Sequence, residues 1–371
     1  MKKTICKLGI IGTGRIAHRF VPEAGFVEGI EVVAVYNSRI TSAEKFAEEF
    51  SIAYYTDNLE KLFEYVDAVY IASPHETHYM YAKRALEVGK HVLCEKPMTF
   101  SKIQVLELGI LAQEKDLVLM EAIKTAYCPG FLALLEVAKS GKIGEIIDVE
   151  ACFTKLVPIN LRELSDKRYG GSFTEMGTYT LLPIVKLLGT DSKEVKFRSI
   201  KAITDVDAYT KVFIDYGNAI ATAKTGLGVK SEGQLLISGT KGYILVPSPW
   251  WLTRKFEIHY EDPNHIEIYE YPYEKDGLRY EIATFVEKIA QILSINENKM
   301  LNKYSEKNSY CILGQAIEQE NYLSEDILES DINIDKSIYI NSMEIGITIE
   351  ESAWIAEQMA VFLEIRKVDC N

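Results

Sequence analysis

The chain has 371 residues, too many for one ordinary core, so two domains are expected. Hydrophobic residues make up 47% and charged residues 26%, the balance of a soluble globular protein. A formal net charge of −13 argues against nucleic acid, because an acidic surface repels phosphate, yet it leaves room for an anionic small ligand held by local cations.

The opening MKKTICKLGI has too short an apolar run for a signal segment and no cleavage site. No run of about 20 apolar residues suits a membrane span. The six cysteines (Cys6, Cys94, Cys128, Cys152, Cys311 and Cys370) form no CxxC pair, and no His/Cys cluster has metal spacing. A reduced, cytoplasmic protein without a metal is expected.

KLGII at 7–11 is a strand-like apolar run that ends in GTGRIA and leads into a helix, then EVVAVY, a second strand. TSAE at 41–44 has the form of a capping box opening the helix AEKFAEEF. DAVYIAS at 67–73 is a third buried run and stops at Pro74; ETHYMYAKRALEV follows with helical spacing and Gly89 as its stop. HVLCEKP at 91–97 is a fourth strand, SKIQVLELGILAQEKD is helical, and DLVLMEA is a fifth strand. Apolar strands alternating with helices predict a parallel, Rossmann-type α/β sheet covered on both faces over residues 1–125. Residues 126–371 then read as an α+β domain. EIIDVEACF, VKFRSIKAI, YTKVFIDY, AIATAKTG, GQLLISG and GYILVP are short strands with turn-type boundaries, predicting a mostly antiparallel sheet. An uncovered sheet face would need a partner, so a homodimer or homotetramer is expected. Residues 291–345 are polar and motif-free and read as an insertion with SIYI as an edge strand. The last segment, 349–367, is an amphipathic helix that docks back through Ala353, Ile355, Met359, Phe362 and Ile365.

Gly12-Thr-Gly14-Arg15-Ile16-Ala17 sits where a phosphate loop belongs, after the first strand and opening a helix. Gly12 permits the tight turn, Gly14 admits a pyrophosphate close to the backbone, and Ala17 allows close helix–sheet packing. The second strand ends at Asn37-Ser38-Arg39 instead of an acidic residue, so NADP is slightly favoured over NAD. Ser73, Pro74, His75 and His78 follow the third strand, and Glu95, Lys96 and Pro97 follow the fourth. Strand order brings both groups to the crevice holding the glycines. An ammonium at a strand end is costly to bury without a partner. In GGSFTEMGTYT, 170–180, helical spacing puts Glu175 and Tyr179 on one face.

The combination of GTGRIA, IASPHETH, CEKP and GGSFTEMGTY, in that order over roughly residues 5–290, resembles the Gfo/Idh/MocA family of oxidoreductases. ISGTKGYILVPSPWW is similar to that family's second domain. The resemblance implies a Rossmann domain followed by a large, mostly antiparallel sheet whose open face mediates dimerisation. It implies that Lys96 contacts the nicotinamide and the substrate oxygen, with a cis bond to Pro97. The Lys96–Tyr179 pair resembles the glucose–fructose oxidoreductase and dihydrodiol dehydrogenase branch. Tyr179 then exchanges the substrate proton, its phenol pKa drawn down by Lys96. Glu175 departs from the family's usual Asp, and Ala126 and Cys128 stand where the family often has Arg or His. Lys124 and Tyr127 become candidate substitutes for substrate contact, with Lys155 and Arg168 as further candidates. The expected activity is NAD(P)-dependent interconversion of hydroxyl and carbonyl on a sugar, sugar derivative or cyclic diol. A dinucleotide-binding regulator without turnover and redox-neutral, glycosidase-like chemistry are the alternatives.

Overall fold

The computed structural model describes residues 6–295 and 345–368. The first half builds a six-stranded parallel sheet from β1 (Cys6–Ile11), β2 (Ile30–Tyr36), β3 (Tyr54–Thr56), β4 (Ala68–Ile71), β5 (His91–Glu95) and β6 (Leu119–Ala122). The spatial order is β3-β2-β1-β4-β5-β6, so the order in which successive strands are added switches sides between β1 and β4. That reversal opens a crevice at the carboxyl ends of those strands. Helices α1 (Arg15–Ala24), α2 (Ile40–Phe50), α3 (Leu59–Tyr65), α4 (His78–Glu87) and α5 (Lys102–Glu114) cover the sheet. All four residues of β4 and all five of β5 are buried, as continuous apolar runs require.

Two local details differ from expectation. The sheet has a sixth strand, β3, whose three residues are too few to show a period, and helix α3 follows it with Asn58 accepting from the Lys61 N–H. The TSAE capping box does not form. The Asn37 side chain takes the Arg39 N–H at 2.9 Å, holding Arg39 extended, and α2 starts two residues early at Ile40. Glu44, the would-be partner in the box, instead accepts from the Tyr55 hydroxyl.

The second sheet has eight strands: β7 (Ile146–Thr154), β8 (Glu194–Lys201), β9 (Asp207–Asp215), β10 (Ile220–Gly226), β11 (Leu235–Gly239), β12 (Gly242–Val246), β13 (Lys255–Tyr260) and β14 (Ile266–Glu270). Its neighbours are antiparallel except for the β7–β10 pair, which is parallel. Helices α6 (Pro129–Lys139), α7 (Arg162–Ser165), α8 (Ser172–Leu188), α9 (278–295) and α10 (Ile349–Val368) complete the described chain. Helix α8 lies across β7, β9 and β10, over Val149, Ala151, Val212 and Ala223, all fully buried. Strand alternation sends Phe213 (45% exposed) and Ile220 (57%) to the opposite face.

Helix α10 packs against α5 on one side and α8 on the other. Ala353, Ile355, Met359 and Phe362 are buried as expected, but Ile365 is exposed and the neighbouring Arg366 is buried instead. Residues 296–344, including SIYI and Cys311, lie outside the described residues, as does Cys370. No described helix is long and apolar enough to cross a membrane.

The α10 contact carries a buried carboxyl. Glu121, at the end of β6, accepts from the Met98 N–H at 2.8 Å and from the Ser352 hydroxyl of α10. Burial pushes its pKa from 4.5 up to about 7, against the pull of those two hydrogen bonds. The native state therefore holds this proton more tightly than the unfolded chain. The associated stability is fully present below the ordinary value and is lost as pH rises through about 7, on the order of 3 kcal/mol. Glu121→Gln keeps an acceptor and a donor in place. Denaturation midpoints measured from about pH 5 to about pH 8 are expected to fall in the wild type and to stay nearly flat in the variant. Equal slopes in the two proteins would remove this assignment.

Candidate active site

A cleft of about 1310 Å³ runs from the carboxyl ends of the parallel strands to β7, α8 and the turn before α9. Its floor begins at the glycine loop. Gly12 sits at φ +102°, and a Cβ there would approach the Ala72 carbonyl oxygen to 2.7 Å, so both conformation and space demand glycine. Gly14 caps α1 in an extended conformation, with no side-chain cap and no acidic residue in the first turn. The first N–H groups of α1 are thus left for an anion, and Arg15 and Ile16 line the cleft beside them. Ala17 is fully buried beneath the loop and does not line the cleft; it sets the helix–sheet distance.

At the far end, Asn37, Ser38 and Arg39 line the same cleft. The Asn37 side chain donates to the Thr13 hydroxyl at 2.8 Å, tying the end of β2 to the glycine loop. Although the chain is acidic overall, nine Lys or Arg side chains line the cleft against five Asp or Glu. The glycine cradle, the free helix start and the local cations fit an anionic dinucleotide.

Beyond β4, Ser73, Pro74, His75 and His78 reach the cleft wall. His78 is fully buried, with Nδ1 2.9 Å from the Pro97 carbonyl oxygen and Nε2 3.0 Å from that of Ser73. Both ring nitrogens face the protein's own backbone, so this histidine clips two loops together. Burial, then the nearby Lys96, holds the His75 pKa well below its usual value, and its Nδ1 has no partner among the described residues. Pro97 lies buried under the cis Lys96–Pro97 bond and does not line the cleft; its carbonyl meets His78.

Glu95 and Lys96 both line the cleft. Glu95 is buried and accepts from the Tyr70 hydroxyl at 2.6 Å. Burial raises its pKa against the opposing pull of Lys96. The Lys96 ammonium donates to the Glu175 backbone carbonyl at 3.0 Å and stands 5.6 Å from the centroid of the Tyr179 ring.

The start of α8 explains the double glycine. Gly171 has φ +121°, and a Cβ there would lie 2.0 Å from Asp207 Oδ1. Asp207, from β9, caps the helix: its Oδ2 accepts from the Ser172 hydroxyl and the Phe173 N–H, both at 2.9 Å. Arg366 of α10 pairs with Asp207 Oδ1 at 3.3 Å and donates to the carbonyls of Lys167, Arg168 and Gly170. One turn further along α8, Glu175 and Tyr179 line the cleft together, as their spacing predicts. Glu175 pairs with Arg162 at 3.3 Å; burial raises its pKa, while Lys96 and Arg162 pull it down.

The expected lowering of the Tyr179 pKa does not occur. Burial pushes the phenol well up, and the neighbouring carboxyl groups of Glu95 and Glu281 push it further. Without ligands, Tyr179 is therefore a firmly protonated acid.

Of the four substrate candidates, Lys124 and Lys155 line the cleft. Lys124 donates to the Asp276 carbonyl at 2.7 Å, and burial lowers its pKa. Tyr127 does not reach the cleft: it is buried in the core and its hydroxyl donates to the Glu121 carbonyl at 2.8 Å. Arg168 is also outside, exposed and stacked on Tyr169 at 4.9 Å. Arg162, six residues earlier, lines the cleft instead.

Sequence reasoning also missed Arg19, Glu281 and an aromatic wall in which Phe153 and Trp251 stack at 3.6 Å and 7°. Glu281 had a readable signal. It shares the buried face of α9 with Leu278, Ile282 and Phe285, an odd place for a carboxyl.

Residues 6–123 match a family described as an oxidoreductase family with an NAD-binding Rossmann fold, and residues 131–245 match the GFO/IDH/MocA C-terminal domain. A trans-1,2-dihydrobenzene-1,2-diol dehydrogenase of Mus musculus is 30% identical over 249 residues, 65% of this chain and 74% of the relative. The chain belongs to the Gfo/Idh/MocA family. Like other members, it is an oxidoreductase with an NAD(P)-binding Rossmann domain. A scyllo-inositol 2-dehydrogenase (NADP(+)) of Bacillus subtilis is 29% identical over 314 residues, 82% of this chain and 92% of the relative. Among solved Gfo/Idh/MocA structures, a 3-ketoreductase from Actinomadura kijaniata in complex with NADP and TDP-benzene matches with a TM-score of 0.67 and 26% identity. That match covers 78% of this chain and 91% of the other.

Proposed function

We propose that the protein interconverts a hydroxyl and a carbonyl on a polyhydroxylated ring (a sugar, sugar derivative or cyclic diol) with NADP(H), using Lys96 and Tyr179. The reading is carried by one observation: the Lys96 ammonium lies 5.6 Å from the centroid of the Tyr179 ring, where the end of β5 meets α8 across the cleft. A dinucleotide held at the Gly12–Gly14 loop would supply or take the hydride. Lys96 polarises the substrate oxygen and stabilises charge that develops on it. Tyr179, protonated in the resting protein, donates its proton to that oxygen in reduction and the phenolate is then reprotonated from solvent; oxidation reverses both transfers. Glu175 holds Arg162 at the rim and offers its backbone carbonyl to orient Lys96.

The preference for NADP rests on Arg39 and Ser38 at the ribose end and on the NADP named for the Bacillus and Actinomadura relatives. Residues up to about 125 hold the nucleotide, and the remainder supplies substrate contacts. The open face of the second sheet, with Phe213, Ile220 and Ile268 exposed, joins copies of the chain; light scattering giving a multiple of 42.0 kDa would support this and a monomer would refute it.

To test the activity, purified protein is titrated with NADPH and NADH. It is then offered ring polyols with NADP⁺ and ring carbonyls with NADPH, following the absorbance of the reduced nicotinamide. Tighter binding of NADPH and turnover of a ring substrate are expected. Dinucleotide binding with no turnover across the panel would overturn the reading. Release of a glycoside product without net cofactor change would replace it with redox-neutral chemistry.

A further inference from the structure

Glu281 stands out among the groups that the proposed proton transfer does not use. It is fully buried on α9, between Leu278 and Ile282, yet it lines the cleft. Neither carboxyl oxygen has a hydrogen-bond partner among the described residues. Buried polar groups are almost always paired, because water released on burial must be replaced by another partner. An orphaned carboxyl at a cleft wall therefore has the form of half a contact. Lys124 sits within its electrostatic reach and lines the same wall, as does Arg19, which is itself held by Asp276 at 2.8 Å. Burial and the neighbouring Glu95 push the Glu281 pKa well above the usual carboxylate range. A protonated carboxyl offers one donor and one acceptor, the complement of an alcohol. Nearby, Phe153 stacks on Trp251 and meets Tyr179 edge-on at 5.3 Å, giving an apolar wall for the C–H face of a ring.

We propose that Glu281 is a substrate-binding residue that anchors a second, unreacted hydroxyl of the ring while Tyr179 and Lys96 hold the reacting oxygen. This rests on the ring-polyol reading above and narrows it: the substrate carries at least two hydroxyls on one cyclic skeleton, one of which is bound without being oxidised. Glu281 thus fixes which carbon of the ring is presented for hydride transfer, and a substrate lacking the anchored hydroxyl leaves the buried acid unpaired again.

The test uses the full chain with myo-inositol, scyllo-inositol, D-glucose and their monodeoxy analogues as probes, NADP⁺ as oxidant, and NADPH fluorescence titration to confirm an intact fold. Glu281→Leu and Glu281→Asp, which withdraws the acid by one C–C bond, are expected to raise KM for the best probe about tenfold or more, with NADPH affinity within about threefold of wild type. Glu281→Gln retains a donor and an acceptor and is expected to hold KM within about threefold. One monodeoxy analogue is expected to lose a similar factor on the wild type and nothing further on Glu281→Leu. An unchanged KM in both the Leu and Asp variants, or equal penalties for every analogue in wild type and variant, overturns the assignment and leaves the oxidoreductase reading standing. Failure of the wild type to oxidise any ring probe overturns both.

Discussion

Tyr179→Phe is expected to lower kcat/KM for carbonyl reduction by about 10²- to 10⁴-fold, the range for removing a positioned general acid, with NADPH affinity little changed. The substitution takes away only the hydroxyl, so the ring keeps its edge-on contact with Phe153 and the cleft keeps its shape. Burial makes the phenol a weaker acid, so in the proposed mechanism its proton moves only as negative charge grows on the substrate oxygen. Lys96→Met removes the ammonium that stabilises the same charge, and a loss of about 10²- to 10³-fold is expected. In the proposed mechanism the two groups act on one oxygen, so the double variant is expected to be little worse than the poorer single one. Steady-state rates from NADPH absorbance check all three. Unimpaired turnover in both single variants would sink the mechanism.

Asp207→Ala is expected to cost about 3–5 kcal/mol of stability, as for one partner removed from a buried ion pair. Asp207 is 1% exposed and Arg366 8%, so the guanidinium would be left without its anion. The Ser172 hydroxyl, the Phe173 N–H and the Thr210 hydroxyl at 3.1 Å would lose their common acceptor as well. Asp207→Asn keeps an oxygen for the helix cap and should fall between the two. Denaturant midpoints decide the matter; a loss below about 1 kcal/mol in the Ala variant would mean that the cap and the ion pair are energetically idle.

Most of the nucleotide half could be read directly, because its demands are local. The Gly12 turn, the helix start at Gly14, the apolar strands and the Gly89 stop, at φ +77°, each answer to residues a few positions away. The Glu175–Tyr179 face was legible for the same reason, since helical spacing needs no tertiary knowledge. What was misread depends on groups brought together from afar. Tyr127 and Arg168 lie near the right elements in sequence, but one turns into the core and the other onto Tyr169. Arg162 was overlooked because its partner Glu175 is separated from it by a loop and the double glycine. The Tyr179 pKa was assigned the wrong direction because Lys96 is adjacent in the motif logic, whereas Glu95 and the depth of burial prevail in space. Glu281 is more than 100 residues from Tyr179, and only the period of α9 hinted at it.

The Arg366 clasp has a consequence for how the molecule is made. Its bond to the Gly170 carbonyl joins positions 196 residues apart, so a growing chain completes helix α8 long before the guanidinium that locks its first turn exists. Until then Tyr179 sits on a helix whose anchoring aspartate lacks its counter-charge. The first turn of α8 is thus locked only when the last helix has been made, and a chain cut short before Arg366 would leave Asp207 without its counter-charge.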